Sequence, residues 1–94
     1  MSVEVRIPGL LRKIAGGAKS VSAEGKTIGQ LIENLETRYP GFKSRLIGED
    51  GKLHQFVGIY LNDEDIRFLK DMDTAVKDGD VISILPAAAG GSLG

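Results

Sequence analysis

Val81-Ile82-Ser83-Ile84-Leu85, entered through Asp78-Gly79-Asp80 and closed by Pro86, is the stretch on which the fold turns. A run this continuously apolar reads as a strand in a central position, where neighbours cover it. Asp78-Gly79-Asp80 is the turn that delivers the chain to it. Pro86 ends it, because proline has no N–H to donate to a ladder. The other end of the chain offers a partner. Val3, Val5 and Ile7 alternate with Glu4 and Arg6, the period-two pattern of a strand with one dry face. Pro8-Gly9 stops that strand, and Leu10 to Ile14 cross to the turn-rich Ala15-Gly16-Gly17-Ala18. Lys19 to Ala23 then read as a second strand, antiparallel to the first and wet on one face.

Between these ends lies one strong helix signal. After the turn Glu24-Gly25-Lys26, Thr27 and Gln30 form a T-x-x-Q capping box. Ile28, Leu31, Ile32, Leu35 and Tyr39 recur at helical spacing, while Glu33 and Glu36 fall off the apolar stripe and should face water. Pro40-Gly41 stops the helix at Tyr39. Phe42 to Ile47 read as a short helical turn or loop with Phe42 and Leu46 inward, followed by the polar turn Gly48 to Gly51. Val57, Ile59 and Leu61 mark a third strand ending at Asn62-Asp63-Glu64-Asp65. Ile66-Arg67-Phe68 then suggest a short edge strand, and Asp71 to Lys77 a connector. One helix packs across one face of a sheet. With the first and last strands as central neighbours, the class is α+β, a mixed sheet in the ubiquitin-like β-grasp topology. Residues 1–86 form that domain and residues 87–94 a flexible tail.

Composition narrows the function. The 94 residues suffice for one core. A formal net charge of -1 argues against nucleic-acid binding by summed positive charge. No apolar run approaches the roughly 20 residues of a membrane span, and Met1 to Arg6 show no signal-peptide pattern. With no cysteine there is neither disulfide nor thiolate chemistry. The class that remains is a cytoplasmic globular domain.

The functional argument sits after Pro86, in Ala87-Ala88-Ala89-Gly90-Gly91-Ser92-Leu93-Gly94. By itself such a stretch reads as a frayed end, and the other pair, Gly16-Gly17, reads as a turn. Position raises the signal: an apolar strand, a proline, small residues and Gly-Gly close to the terminus. A chain end that another protein activates must enter a catalytic cleft as extended backbone. Glycine has no Cβ to clash there and tolerates backbone angles closed to other residues.

The segment Val81 to Gly91, V-I-S-I-L-P-A-A-A-G-G after D-G-D, resembles the C-terminal signature of MoaD/ThiS-type sulfur carriers. Lys19 to Ala23, Gly51 to Val57 and Ile59 to Phe68 carry the resemblance through nearly the whole chain. It is closer to the mycobacterial branch that serves cysteine biosynthesis. The resemblance implies the β-grasp fold and a carrier that is not itself an enzyme. An E1-like adenylating partner, using ATP and Mg²⁺, would activate the carboxylate of Gly91, with Gly90 beside it in the channel. A sulfur donor would then convert the acyl-adenylate to a thiocarboxylate. A sulfur-accepting synthase, a PLP-dependent cysteine synthase by closest similarity, would consume it. The molybdopterin synthase small subunit and the thiamine-pathway carrier share the end motif, and a ubiquitin-like modifier joined to lysines would use the same activated Gly91. This chain departs from the pattern by continuing through Ser92-Leu93-Gly94, which makes the Gly91 carbonyl an amide. The reading is a proform cut between Gly91 and Ser92, with a JAMM-type metallopeptidase as the natural candidate.

Other residues carry weaker signals. His54, the single histidine, cannot build a usual zinc site without cysteine and reads as structural. Asn62 to Asp65 lack the EF-hand spacing and read as a turn or a charged contact. No Walker or dinucleotide motif is present, so nucleotide comes with the partner, and the chain itself binds no metal or cofactor. Residues 1–47 hold eight Lys/Arg and four Asp/Glu, and residues 48–94 four and nine. Because the tail follows the acidic half, an acidic surface beside it would steer it to a basic partner; ordinary surface charge is the alternative.

Overall fold

The structure is a computed structural model, and it describes residues 2–55 and 57–86. Strands β1 (Val3–Arg6), β2 (Ser20–Ala23), β3 (Val57–Leu61), β4 (Glu64–Asp65) and β5 (Val81–Pro86) form one five-stranded sheet in the order β2-β1-β5-β3-β4. The last strand is therefore the middle one. It runs parallel to β1, with Val5 opposite Ile82, and antiparallel to β3, with Ile59 opposite Ile84. Strands β2 and β4 add antiparallel outside β1 and β3. This is the β-grasp arrangement expected from the sequence.

Alternation decides which face is dry. Val3, Val5 and Ile7 from the first strand and its end, Ile59 from β3, and Ile82 and Ile84 from β5 share one core with Ile28, Leu31, Ile32 and Leu35 of helix α1 (Ile28–Arg38). Each of those four helix side chains contributes about 1.5–3 kcal/mol by leaving water. The run in β5 takes the central position expected of it. A single main helix covers one face, so Leu85 on the other is left 48% exposed. Pro86 also stays within the strand, opposite Val57, as its last residue.

The start of α1 is held as its sequence predicts, with one shift. Thr27 Oγ accepts from the Gln30 N–H at 3.2 Å. Gln30 Oε1 accepts from the Lys26 N–H at 2.8 Å, one residue before the cap. Gly25 lies against this turn so closely that a Cβ there would meet Leu31 N and Gln30 Cβ, each at 2.9 Å. The helix stops at Arg38, with Tyr39 as its C-cap, half-buried rather than fully inside.

Two expectations change. Glu36, expected to face only water, caps the next helix, α2 (Phe42–Leu46): its carboxylate accepts from the N–H groups of Gly41 and Lys43, at 3.1 and 2.8 Å. Those two backbone donors, helped by the Lys43 charge against a small burial penalty, hold the Glu36 carboxyl below its ordinary range. The edge strand is Glu64–Asp65, not Ile66 to Phe68, which form a 3-10 turn. Asp65 caps that turn through the Arg67 N–H at 2.9 Å. A strand would put residues 66 and 68 on one face; instead Ile66 is fully buried and Phe68 is 87% exposed.

Candidate functional site

The residues expected to carry the chemistry, Gly90, Gly91 and Ser92, with Leu93 and Gly94, lie outside the described residues. The structure does describe the root from which they extend. That root is the C-terminal end of β5, with Pro86 opposite Val57 on one side and Arg6 opposite Ser83, three residues earlier, on the other. The pairing with β1 ends at Ser83, so the last three residues of the strand are aligned by β3 alone, which sets the direction in which the tail leaves.

Ile84 and Leu85 share a shallow hollow with Pro8, Arg6, Arg12 and Lys19 on the β1 side, where Glu4 lies 3.4 Å from Arg6 Nε. Arg12 is anchored there by its Nε, which donates to the Ile7 carbonyl at 3.2 Å. The acidic residues Glu64, Asp71 and Asp73 follow β3 instead, with Lys70 among them. The expectation of an acidic surface beside the tail meets, on the β1 side of the root, a hollow in which Arg6, Arg12 and Lys19 outnumber Glu4; β4 lies level with Ile82 and Ser83, away from Pro86.

The opposite end of β5 is clasped by a polar network that sequence reasoning missed. Asp80, 7% exposed, accepts from Asn62 Nδ2 at 3.0 Å and from the Lys77 N–H at 2.9 Å. Asn62 Oδ1 accepts in turn from the Val81 N–H at 2.9 Å. Burial disfavours the ionised Asp80, but the Asn62 amide, the Lys77 N–H and the Lys77 charge outweigh it, and its carboxyl is held below the ordinary range. Asn62 can take this role because the turn bends there with positive φ, 50° at Asn62 and 78° at Asp63, which Asn and Asp tolerate best among non-glycine residues. Asn62-Asp63 is therefore the turn, and Glu64-Asp65 the edge strand that follows it. The available signal was D-G-D following N-D at a distance that only the fold shortens.

A second clasp fixes the strand facing Pro86. Arg67 Nη2 donates to the carbonyls of Val57, at 2.8 Å, and His54, at 3.3 Å. His54 Nε2 lies 3.1 Å from the Ser44 carbonyl and is the donor there, which makes its role structural. Among the described residues no three His, Asp or Glu side chains converge as metal ligands. Among them also, no helix is long and apolar enough to cross a membrane.

Similarity to known proteins extends over nearly the whole chain. A profile of the ThiS family matches residues 5–91. The sulfur carrier protein CysO of Mycobacterium tuberculosis is 54% identical over 93 residues, covering 97% of this chain and all of that protein. The small archaeal modifier protein 3 of Haloferax volcanii is 35% identical, with 97% of this chain and all of its own covered. Among solved structures, the complex of BexX and CysO from Amycolatopsis orientalis contains a chain that matches with a TM-score of 0.87 and 50% identity, over 95% of this chain and 99% of that one.

Proposed function

The chain belongs to the ThiS family, and from that premise we propose that it is a sulfur carrier, a covalent cosubstrate rather than an enzyme, that serves cysteine biosynthesis. The observation that carries this reading is where the family match ends. It runs through the β-grasp body and stops at residue 91, the second glycine of the pair. Identity of 54% with a protein named a sulfur carrier supports it.

The chemistry follows from what a terminal glycine carboxylate can do. In the cleft of an E1-like adenylating enzyme, that carboxylate attacks the α-phosphorus of ATP, and pyrophosphate leaves with its Mg²⁺. The acyl-adenylate is then attacked at the Gly91 carbonyl carbon by sulfide from a donor. AMP departs, and a thiocarboxylate remains. Gly90 and Gly91 present no side chain to the channel. The sulfur is consumed by an acceptor synthase, with a PLP-dependent cysteine synthase as the favoured class. Because a Gly91 carbonyl bonded to Ser92 is an amide, Ser92-Leu93-Gly94 must first be removed, and a JAMM-type metallopeptidase fits that step.

Intact mass of the protein purified from its own cells tests the reading. The expected species ends at Gly91 and has one oxygen replaced by sulfur. A chain that keeps Ser92 to Gly94 while sulfur transfer proceeds would falsify the trimming step. A second reading has an observation of its own: the 35% identity with a protein named a modifier. It predicts Gly-Gly remnants on lysines of other proteins, and finding those without any thiocarboxylate would replace sulfur transport by conjugation.

A further inference from the structure

We propose that Asn34 and Arg38 of helix α1 form a latch that closes the outer edge of β2 against strand addition, and that the strand it excludes is β2 of a second copy of this chain. The inference is independent of the carrier reading.

A sheet has two outer edges, and each offers unpaired N–H and C=O groups to another strand. Here they belong to β2 and β4. Strand β4 is only Glu64-Asp65, short and acidic, which is protection enough. Strand β2 has none of its own: Ser20-Val21-Ser22-Ala23 holds no charge and no proline. Its protection comes from the helix. The Ile7 N–H donates to the Lys19 carbonyl at 2.8 Å, and Val21 and Ala23 stand opposite Val5 and Val3. Backbone groups alternate in direction along an antiparallel strand, so those of Lys19, Val21 and Ala23 face β1. Those of Ser20, Ser22 and Glu24 face outward.

Two of the outward groups are already taken. The Ser22 carbonyl accepts from Arg38 Nη2, and the Glu24 N–H donates to Asn34 Oδ1 at 3.1 Å. Asn34 and Arg38 stand one helical turn apart and share a face of α1. The Arg38 guanidinium also lies over the Tyr39 ring, 5.4 Å from its centroid, and Tyr39 packs against the core.

The groups that are closed say what is kept out. For two copies of β2 to pair antiparallel, outward residues must face outward residues. A two-fold axis through Ser22 achieves this, with Ser22 facing Ser22 of the second copy and Ser20 facing Glu24. That ladder needs the Ser22 carbonyl and the Glu24 N–H of each molecule, the two groups that Arg38 and Asn34 hold. An isologous contact uses every group twice, so the latch removes most of the ladder. The result is a carrier body that stays single.

The test is sedimentation equilibrium of the full chain across a wide concentration range, with folding checked by far-UV circular dichroism. The wild type is expected to be monomeric. The double variant Asn34→Ala with Arg38→Ala is expected to self-associate at least about tenfold more tightly. Adding Ser22→Lys sets two ammonium groups opposite each other across the axis and should restore the monomer at low salt. Arg38→Ala alone, at an exposed side chain, should fall between, and it carries the test if the double variant does not fold. In dilute monomer, the Glu24 amide should exchange its hydrogen about tenfold faster in Asn34→Ala than in wild type. A folded double variant that stays monomeric overturns the latch, as does unchanged Glu24 exchange. A dimer that survives Ser22→Lys, or a wild type already paired through β2, overturns it equally.

Discussion

Replacing Asp80 by alanine should cost about 2–4 kcal/mol, although no substrate or partner need touch it. The carboxylate is 7% exposed and accepts from Asn62 Nδ2 and the Lys77 N–H, at 3.0 and 2.9 Å. Removing it leaves two donors without a partner, each worth about 1–3 kcal/mol, toward the lower end here because both lie near the surface. A domain of 94 residues has a total stability of about 5–14 kcal/mol, so the loss is a large fraction. It corresponds to a fall in Tm of about 10–25 °C. Asp80→Asn keeps one acceptor and should lose about half as much. Urea unfolding followed by far-UV circular dichroism measures this directly, since the chain has no tryptophan to report. A cycle with Asn62→Ala should give a coupling of about 1–2 kcal/mol. The pH dependence has a definite sign. The Asp80 carboxyl is held below its ordinary range in the fold. Its contribution is therefore complete above the unfolded value, near 3.9, and is lost as pH falls through the lower folded value. An Asp80→Ala penalty below about 0.5 kcal/mol, or additivity with Asn62→Ala, would refute the clasp.

Gly25→Ala forces a Cβ to within 2.9 Å of Leu31 N and should destabilise by about 2–3 kcal/mol in the same denaturation assay, whereas Gly41, which has open space beside it, offers no such contact. Thr27→Ala removes the oxygen that accepts from the Gln30 N–H and should cost about 1 kcal/mol, with Thr27→Ser close to neutral. Glu36→Gln should be less stable than wild type at neutral pH. That difference should close as pH falls through the folded Glu36 value, because the depressed carboxyl supplies stability only while ionised. A gap that persists into acid would assign the effect to packing.

How much of this was legible in the sequence depended on whether the signal was local. Alternation in Val3 to Ile7, the T-x-x-Q cap and the apolar stripe of α1 each lie within one element, and the structure follows them. Placing Val81 to Leu85 at the centre also succeeded, because only a middle strand needs so many apolar residues. The misses involve pairs separated along the chain. Glu36 looks like a solvent-facing helix residue until α2 brings the N–H groups of Gly41 and Lys43 to its carboxylate. Ile66 and Phe68 share strand spacing, yet the cap from Asp65 turns the backbone and sends them to opposite sides. Asp80 and Asn62 read as two turn residues, and only the pairing of β3 with β5 joins them. The chemistry was placed by motif alone, and Gly90, Gly91 and Ser92 lie beyond the described residues.

Rooting the chain end on β5 has a physical consequence for a carrier. An edge strand is held along one side and is among the first to open, whereas a middle strand opens only at a cost approaching global unfolding. Here β5 pairs with β1 over Val81 to Ser83 and with β3 over Ile82 to Pro86, and its far end is tied through Val81 to Asn62 and Asp80. A tail drawn into one enzyme after another therefore pulls first on Ile84 to Pro86, held by β3 alone, and beyond them meets the strand where it is held on both sides. The same rooting limits reach. Gly91 follows Pro86 by five residues, which at full extension span at most about 17 Å. A partner whose reacting centre lies deeper than that must close around the body of the carrier. The hollow beside the end of β5, where Arg6, Arg12, Lys19 and Glu4 surround Leu85, is then brought against it in a fixed orientation.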